Sequence, residues 1–159
     1  MKYTLLQNKE TKPVSIGCKY FTPKEELIDK IEVLIVSFFG EYPNGSQGKN
    51  HGTYISKKTV SGIIDFNPDA LILDFRELEY NWGNSLLAVF QDLEQLKNAG
   101  NTTNEPNFPI LILTSEKSKT GILSLLKPAE SNSVLDFIFE DINLAIKEAA
   151  KRGKYWLDN

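Results

Sequence analysis

Three stretches of this chain, residues 32–39, 70–75 and 109–114, are almost continuously apolar. Each is too short to form one face of a surface helix. Runs of this length, rich in Val, Ile, Leu and Phe, suit strands buried on both faces. Between them the hydrophobic period becomes helical. After Ser56, which reads as a cap, Val60, Ile63, Ile64 and Phe66 share one face, and Asn67-Pro68-Asp69 stops the helix. Leu86, Val89, Phe90, Leu93 and Leu96 recur over 85–98, with Gly100 where a left-handed residue ends a helix.

The pattern continues to the C-terminus. Ser118 opens a short helix carrying Ile122, Leu123, Leu125 and Leu126, closed by Pro128. Residues 134–139 read as a fourth strand and 141–152 as a last helix, with Gly153 after it. The tail 154–159 carries Tyr155 and Trp156, which are expected to dock on the body. At the other end, residues 2–7 and 14–21 read as short strands. Residues 22–30 read as a short helix, with Thr22 as cap, Pro23 at the first helical position and Glu25 completing a capping box.

Strands alternating with helices from 32 to 152 predict an α/β fold. The expected architecture is one domain with a largely parallel or mixed sheet, covered by helices on both faces. Residues 1–31 form an N-terminal β extension on the same core. With 159 residues and no linker, repeat or low-complexity stretch, the chain reads as a single domain over 1–159.

Composition narrows the partners. A net charge of -3 argues against nucleic acid, since phosphate binding normally needs a basic excess. The apolar run at 32–39 is too short to span a bilayer, and the N-terminus lacks the apolar core of a signal peptide, so the chain reads as cytoplasmic with no membrane partner. One cysteine, Cys18, excludes an intramolecular disulfide and fits a reducing compartment. One His and one Cys leave no conventional zinc site, and neither a P-loop nor a dinucleotide fingerprint is present, so no cofactor is expected.

Parallel strands would gather three strand-end loops on one edge, where open sheets keep their ligand crevice. The loop after the second apolar run holds Glu77, Glu79, Tyr80, Asn81, Trp82 and Asn84. Aromatics beside amides and acids suit a protein contact, because Trp and Tyr give large area at small entropic cost; alternatively Tyr80 and Trp82 cover the sheet edge and Asn84 caps the helix. The loop 41–52 adds Tyr42, several glycines and His51. His51 suits a general base, but no nucleophile or orienting acid accompanies it in the sequence. Asp74 and Glu77 offer a carboxylate pair, with backbone hydrogen bonding by Asp74 as the plainer alternative. Residues 115–120 offer an anion site at a helix start, or simply a cap by Ser118. Lys147, Lys151, Arg152 and Lys154 suit a helix C-terminus.

The stretch from Leu71 to Leu87, with Leu73-Asp74 at a strand end, then Leu78 and Tyr80, resembles the centre of the sulphate-transporter and anti-sigma-factor-antagonist (STAS) domains. The order of elements over 32–152 is similar too. The resemblance implies a STAS-like fold and a regulatory module that binds a kinase or transporter partner. The family's phosphorylatable serine falls near Gly83 or Asn84, neither of which accepts phosphate, and Ser85 is the nearby hydroxyl. The phosphorylation switch is therefore not carried over.

With no catalytic constellation in view, the leading expectation is a non-catalytic protein-binding domain. Its most specific form is a bacterial immunity-type protein that neutralises a cognate toxin. The partner-binding residues would be Glu77, Glu79, Tyr80, Asn81, Trp82, Asn84, Tyr42 and His51. The alternatives are a STAS-like regulatory module and a small enzyme of crotonase-like type. Oligomeric state is open.

Overall fold

The structure is a computed structural model and describes residues 1–10, 12–126 and 135–159. The chain forms a mixed α/β domain around a five-stranded sheet ordered β1-β2-β3-β4-β5. The strands are β1 (Ile16–Phe21), β2 (Val33–Glu41), β3 (Ala70–Glu79), β4 (Ile110–Leu113) and β5 (Ile138–Phe139). The helices are α1 (Lys49–Phe66), α2 (Ser85–Asn98), α3 (Lys119–Leu126) and α4 (Ile142–Asp158). β1 is antiparallel to β2; β2 to β5 are mutually parallel. The sheet is thus mixed but largely parallel.

The central strands bury both faces, as their continuous apolar runs require. One face carries Leu34, Val36, Phe38, Leu71, Leu73, Phe75 and Ile112 against Ile55 and Ile63 of α1, Leu86, Val89 and Leu93 of α2, and Ile122 of α3. The other carries Val33, Ile35, Ile72, Leu111 and Leu113 against Ala145, Ala149 and Ala150 of α4. Small residues let α4 lie close to the strands. Asp141 caps α4, its carboxylate accepting from the amides of Asn143 and Leu144 at 2.8 and 3.0 Å. No helix among the described residues is long and apolar enough to cross a membrane.

Several elements differ from the sequence reading. Residues 2–7 form no strand; residues 1–10 are exposed and have no secondary structure. Residues 22–27 are not helical, and only a 3-10 turn, Ile28–Lys30, forms in the segment. Asp29 and Lys30 have φ of 53° and 56°, outside the helical region. A nine-residue helix there would bury little beyond Ile31, too little to offset nucleation. The helix placed from Ser56 begins at Lys49, so His51 lies in its first turn and not in a loop. Gly48 allows this: a Cβ there would lie 2.3 Å from the Tyr42 ring, so the glycine read as loop chemistry serves close packing.

β3 runs past Phe75 to Glu79, placing Glu77 and Glu79 on a strand. Asn67 ends α1 with φ 45°, and Gly100, with φ 85°, follows α2, both where the sequence put them. The break at Pro128 and the start of the last strand at Val134 lie outside the described residues. Gly153 does not end α4; the helix continues to Asp158. Trp156 docks edge-on to Phe108 with centroids 5.1 Å apart, while Tyr155 stays exposed. Of the cations placed at a helix end, Arg152 and Lys154 instead form i,i+4 pairs within α4, with Glu148 and Asp158.

Candidate functional site

Because β2, β3 and β4 are parallel, the segments after them meet at one edge. Backbone bonds join them. The Tyr42 amide donates to the Glu79 carbonyl at 2.8 Å, and the Tyr80 amide to the Lys117 carbonyl at 3.0 Å. Beneath the edge, Tyr42 and Tyr80 pack edge to face at 5.1 Å. Both are buried, at 3% and 1% exposure. They therefore form the floor of the edge and present no contact surface, a correction to their assignment as partner-binding residues. Burial pushes the Tyr80 phenol up to about 12, with the nearby Tyr42 adding to it. Tyr80 stays protonated and donates to the Gly83 carbonyl at 2.5 Å, fixing the turn of the loop. Tyr42 shares a hydrogen bond of 2.6 Å with Ser85.

His51 is also buried, so it too leaves the contact surface. Its Nε2 lies 2.6 Å from Ser15 Oγ. Ser15 donates its hydroxyl proton to the Glu41 carbonyl at 3.1 Å. Which of Ser15 and His51 donates to the other depends on the imidazole tautomer. Nδ1 has no hydrogen-bond partner among the described residues. Burial lowers the His51 pKa from 6.5, holding the ring neutral. The pair ties the N-terminal segment to α1; among the described residues, no carboxylate is bonded to the other ring nitrogen to orient it.

Asp74 is committed in the same way. It accepts from Arg76 Nε and a terminal guanidinium nitrogen, both at 2.9 Å, from the Arg76 amide at 3.1 Å and from Ser37 at 2.9 Å. Burial pulls its pKa up, but these hydrogen bonds and the guanidinium charge outweigh that, leaving it below its ordinary 3.8. Glu77 pairs with Lys117 at 3.1 Å and is not coupled to Asp74 as an acid–base pair. In the 115–120 segment, Ser118 does not cap α3: its buried hydroxyl donates to the Phe75 carbonyl at 2.8 Å. Ser115 donates to the Arg76 carbonyl at 2.5 Å. Among the described residues, no three His, Cys, Asp or Glu side chains gather as metal ligands.

Exposed at this end of β3 and in the loop after it are Trp82, at 58%, and Asn81, Asn84, Glu77 and Glu79. Asn84 precedes α2, but its side chain makes no capping bond. Two glycines set the indole in place. Gly45 (φ +66°) donates its amide to the Trp82 carbonyl at 3.2 Å, and a Cβ on it would lie 2.9 Å from the indole ring. Gly83 (φ +142°) abuts Gly45, where an added Cβ would lie 3.1 Å from the Gly45 carbonyl oxygen. Both need backbone angles that L side chains avoid. The loops after β2 and β3 thus close on each other with the ring laid across the seam. Sequence reasoning missed Glu41, which lies beside Glu79 in the β2–β3 register. It also missed Gly45 as the seat of Trp82; the Asn44-Gly45 turn signal was the available hint.

A groove of about 570 Å³ opens elsewhere, lined by Phe90, Phe108, Ile112, Leu126, Phe137 and Tyr155. It is apart from the strand-end loops.

No family model matches the chain, and no curated protein matches it. Among solved structures, the chain is similar to the crystal structure of an anti-sigma factor antagonist from Mycobacterium paratuberculosis. The TM-score is 0.51 with 14% identity, over 87% of this chain and 97% of that one. The fold is that of an anti-sigma factor antagonist. At this identity the likeness carries the fold and not the activity.

Proposed function

We propose that this chain is a STAS-like regulatory module that binds a protein partner through the Trp82 edge and performs no chemistry of its own. The observation that carries the reading is an indole held out to solvent on a seam of two interlocked loops, at the edge where parallel sheets bind their ligands. A large aromatic on a fixed backbone loses little entropy on binding, which is how interface anchors work. Glu41 and Glu79, paired in the β2–β3 register at the same end of the sheet, have no ion-pair partner among the described residues, so a partner that also covers them would be basic there. The solved neighbour is named for opposing another regulatory protein, which supports a protein partner. The immunity-type and crotonase-like readings draw no support from that likeness.

Affinity capture from the native host, run in parallel with wild type, Trp82→Ala and Glu79→Lys, tests the proposal. A partner retained by wild type and lost from both variants is expected. Equal capture by all three would overturn it. Partner binding that requires phosphorylation of this chain would contradict a reading in which Gly83 and Asn84, standing where a STAS domain has its phosphorylated serine, accept no phosphate.

A further inference from the structure

The cations of α4 lose their plain explanation in the structure. A helix C-terminus would suit Lys147, Lys151, Arg152 and Lys154, because the dipole favours positive charge in the last turn. The helix instead continues to Asp158, so Lys147 and Lys151 lie in its middle turns. Arg152 is paired with Glu148, and Lys154 with Asp158 and Asp29. Lys147 and Lys151 are exposed and have no ion-pair partner among the described residues. Four residues apart, they are neighbours of like charge on one helix face, an arrangement that disfavours the helix.

These lysines border apolar surface. A hollow of about 540 Å³ takes its apolar lining from Ile28, Phe139 and Leu144 and its cations from Lys147, Lys151 and Lys154. Glu148 also lines it, but its carboxylate accepts from Arg152 Nε at 2.9 Å, so that charge is already met. Leu144 and Ile28 are 59% and 64% exposed. The turn that presents Ile28 is strained. Asp29 and Lys30, which follow it, both have positive φ, a conformation side chains rarely adopt. Lys154 reaches Asp29 at 3.4 Å and holds this turn against α4.

We propose that this hollow binds an acidic amphipathic segment of another protein. Its carboxylates meet Lys147 and Lys151, and its apolar side chains cover Ile28, Phe139 and Leu144. Charge chooses the occupant: unpaired cations around apolar surface complement a segment that carries acids beside apolar residues. Spacing narrows it. The cations from Lys147 to Lys154 extend about 10 Å along the helix. Several carboxylates along one segment match that span; a single anionic headgroup does not. A helix that lies on a membrane puts its apolar face into the bilayer. The apolar face of α4, with Ala145, Ala149 and Ala150, is spent against the sheet. α4 is on the sheet face opposite α1 and α2, and Trp82 does not line the hollow. The inference therefore does not rest on the function proposed for the Trp82 edge.

Fluorescence anisotropy tests it, with the full chain titrated into a fluorescein-labelled peptide of Glu-Glu-Leu-Leu repeats. Peptides of Lys-Lys-Leu-Leu and of Glu-Glu-Ser-Ser repeats run beside it, and circular dichroism checks the fold of each variant. The acidic amphipathic peptide should bind, and the other two much more weakly. Lys147→Glu combined with Lys151→Glu should weaken binding about tenfold, and Ile28→Ser about fivefold. Trp82→Ala should leave it unchanged. No binding of the Glu-Glu-Leu-Leu peptide, equal binding by the lysine and Ile28 variants, or loss of binding with Trp82→Ala would overturn the proposal. Co-sedimentation with phosphatidylserine vesicles supplies the other arm. Vesicle binding that the lysine variant loses, tighter than binding of the peptide, would overturn it in favour of a membrane.

Discussion

At the scale of single residues, the edge separates side chains that hold from side chains that display. Tyr80 holds. Removing its hydroxyl strands the Gly83 carbonyl, so Tyr80→Phe should cost about 1–2 kcal/mol in chemical denaturation. Trp82 displays. Trp82→Ala should change stability by no more than about 0.5 kcal/mol, as expected of an exposed position, while abolishing partner capture. Asp74 gives a pH signature. Its carboxyl is held below 3.8 in the fold, so its contribution is complete above that value and is lost as pH falls through the folded pKa. Asp74→Asn should therefore flatten the acid limb of a stability-against-pH curve and lower stability at neutral pH. An unchanged acid limb would show that the Arg76 and Ser37 bonds do not shift it. Burial is what the sequence hid at this scale. Tyr42 and Trp82 look alike as aromatics in polar loops, and the distinction arises because Tyr42 falls beneath α1 whereas Trp82 rides on Gly45.

At the scale of elements, the long apolar runs were legible because a strand buried on both faces has no polar period to confuse it. β2, β3 and β4 therefore appear where those runs lie, as does α2, with its regular spacing and Gly100. Boundaries set by distant contacts were not legible. α1 starts at Lys49 because Gly48 admits the Tyr42 ring, a contact between segments that local propensity does not encode. Gly48→Ala should cost about 1–3 kcal/mol by overpacking against that ring. The capping signals at 22–25 were legible and misleading, because a cap cannot hold a helix that has little to bury. The cap that does act is Asp141. Asp141→Ala should destabilise the protein by about 1 kcal/mol, measured by urea denaturation, through the exposed amides of Asn143 and Leu144.

At the scale of the whole molecule, parallel order turns separate loops into one site. The candidate face exists because β2, β3 and β4 end together, a convergence that the alternation of strands and helices in the sequence already implies. The antiparallel β1 follows no such rule; its sequence marks it as a strand without saying which edge it takes. Its position leaves a second surface along β1, apart from the one at the strand ends. In the proposed function, the strand-end surface grips a protein through Trp82. Amide hydrogen exchange, measured on the chain alone and with its captured partner, tests this most directly. Increased protection concentrated in 41–46 and 77–84, and lost with Trp82→Ala, is the predicted result. Protection confined to other segments, with 77–84 exchanging as in the free chain, would contradict it.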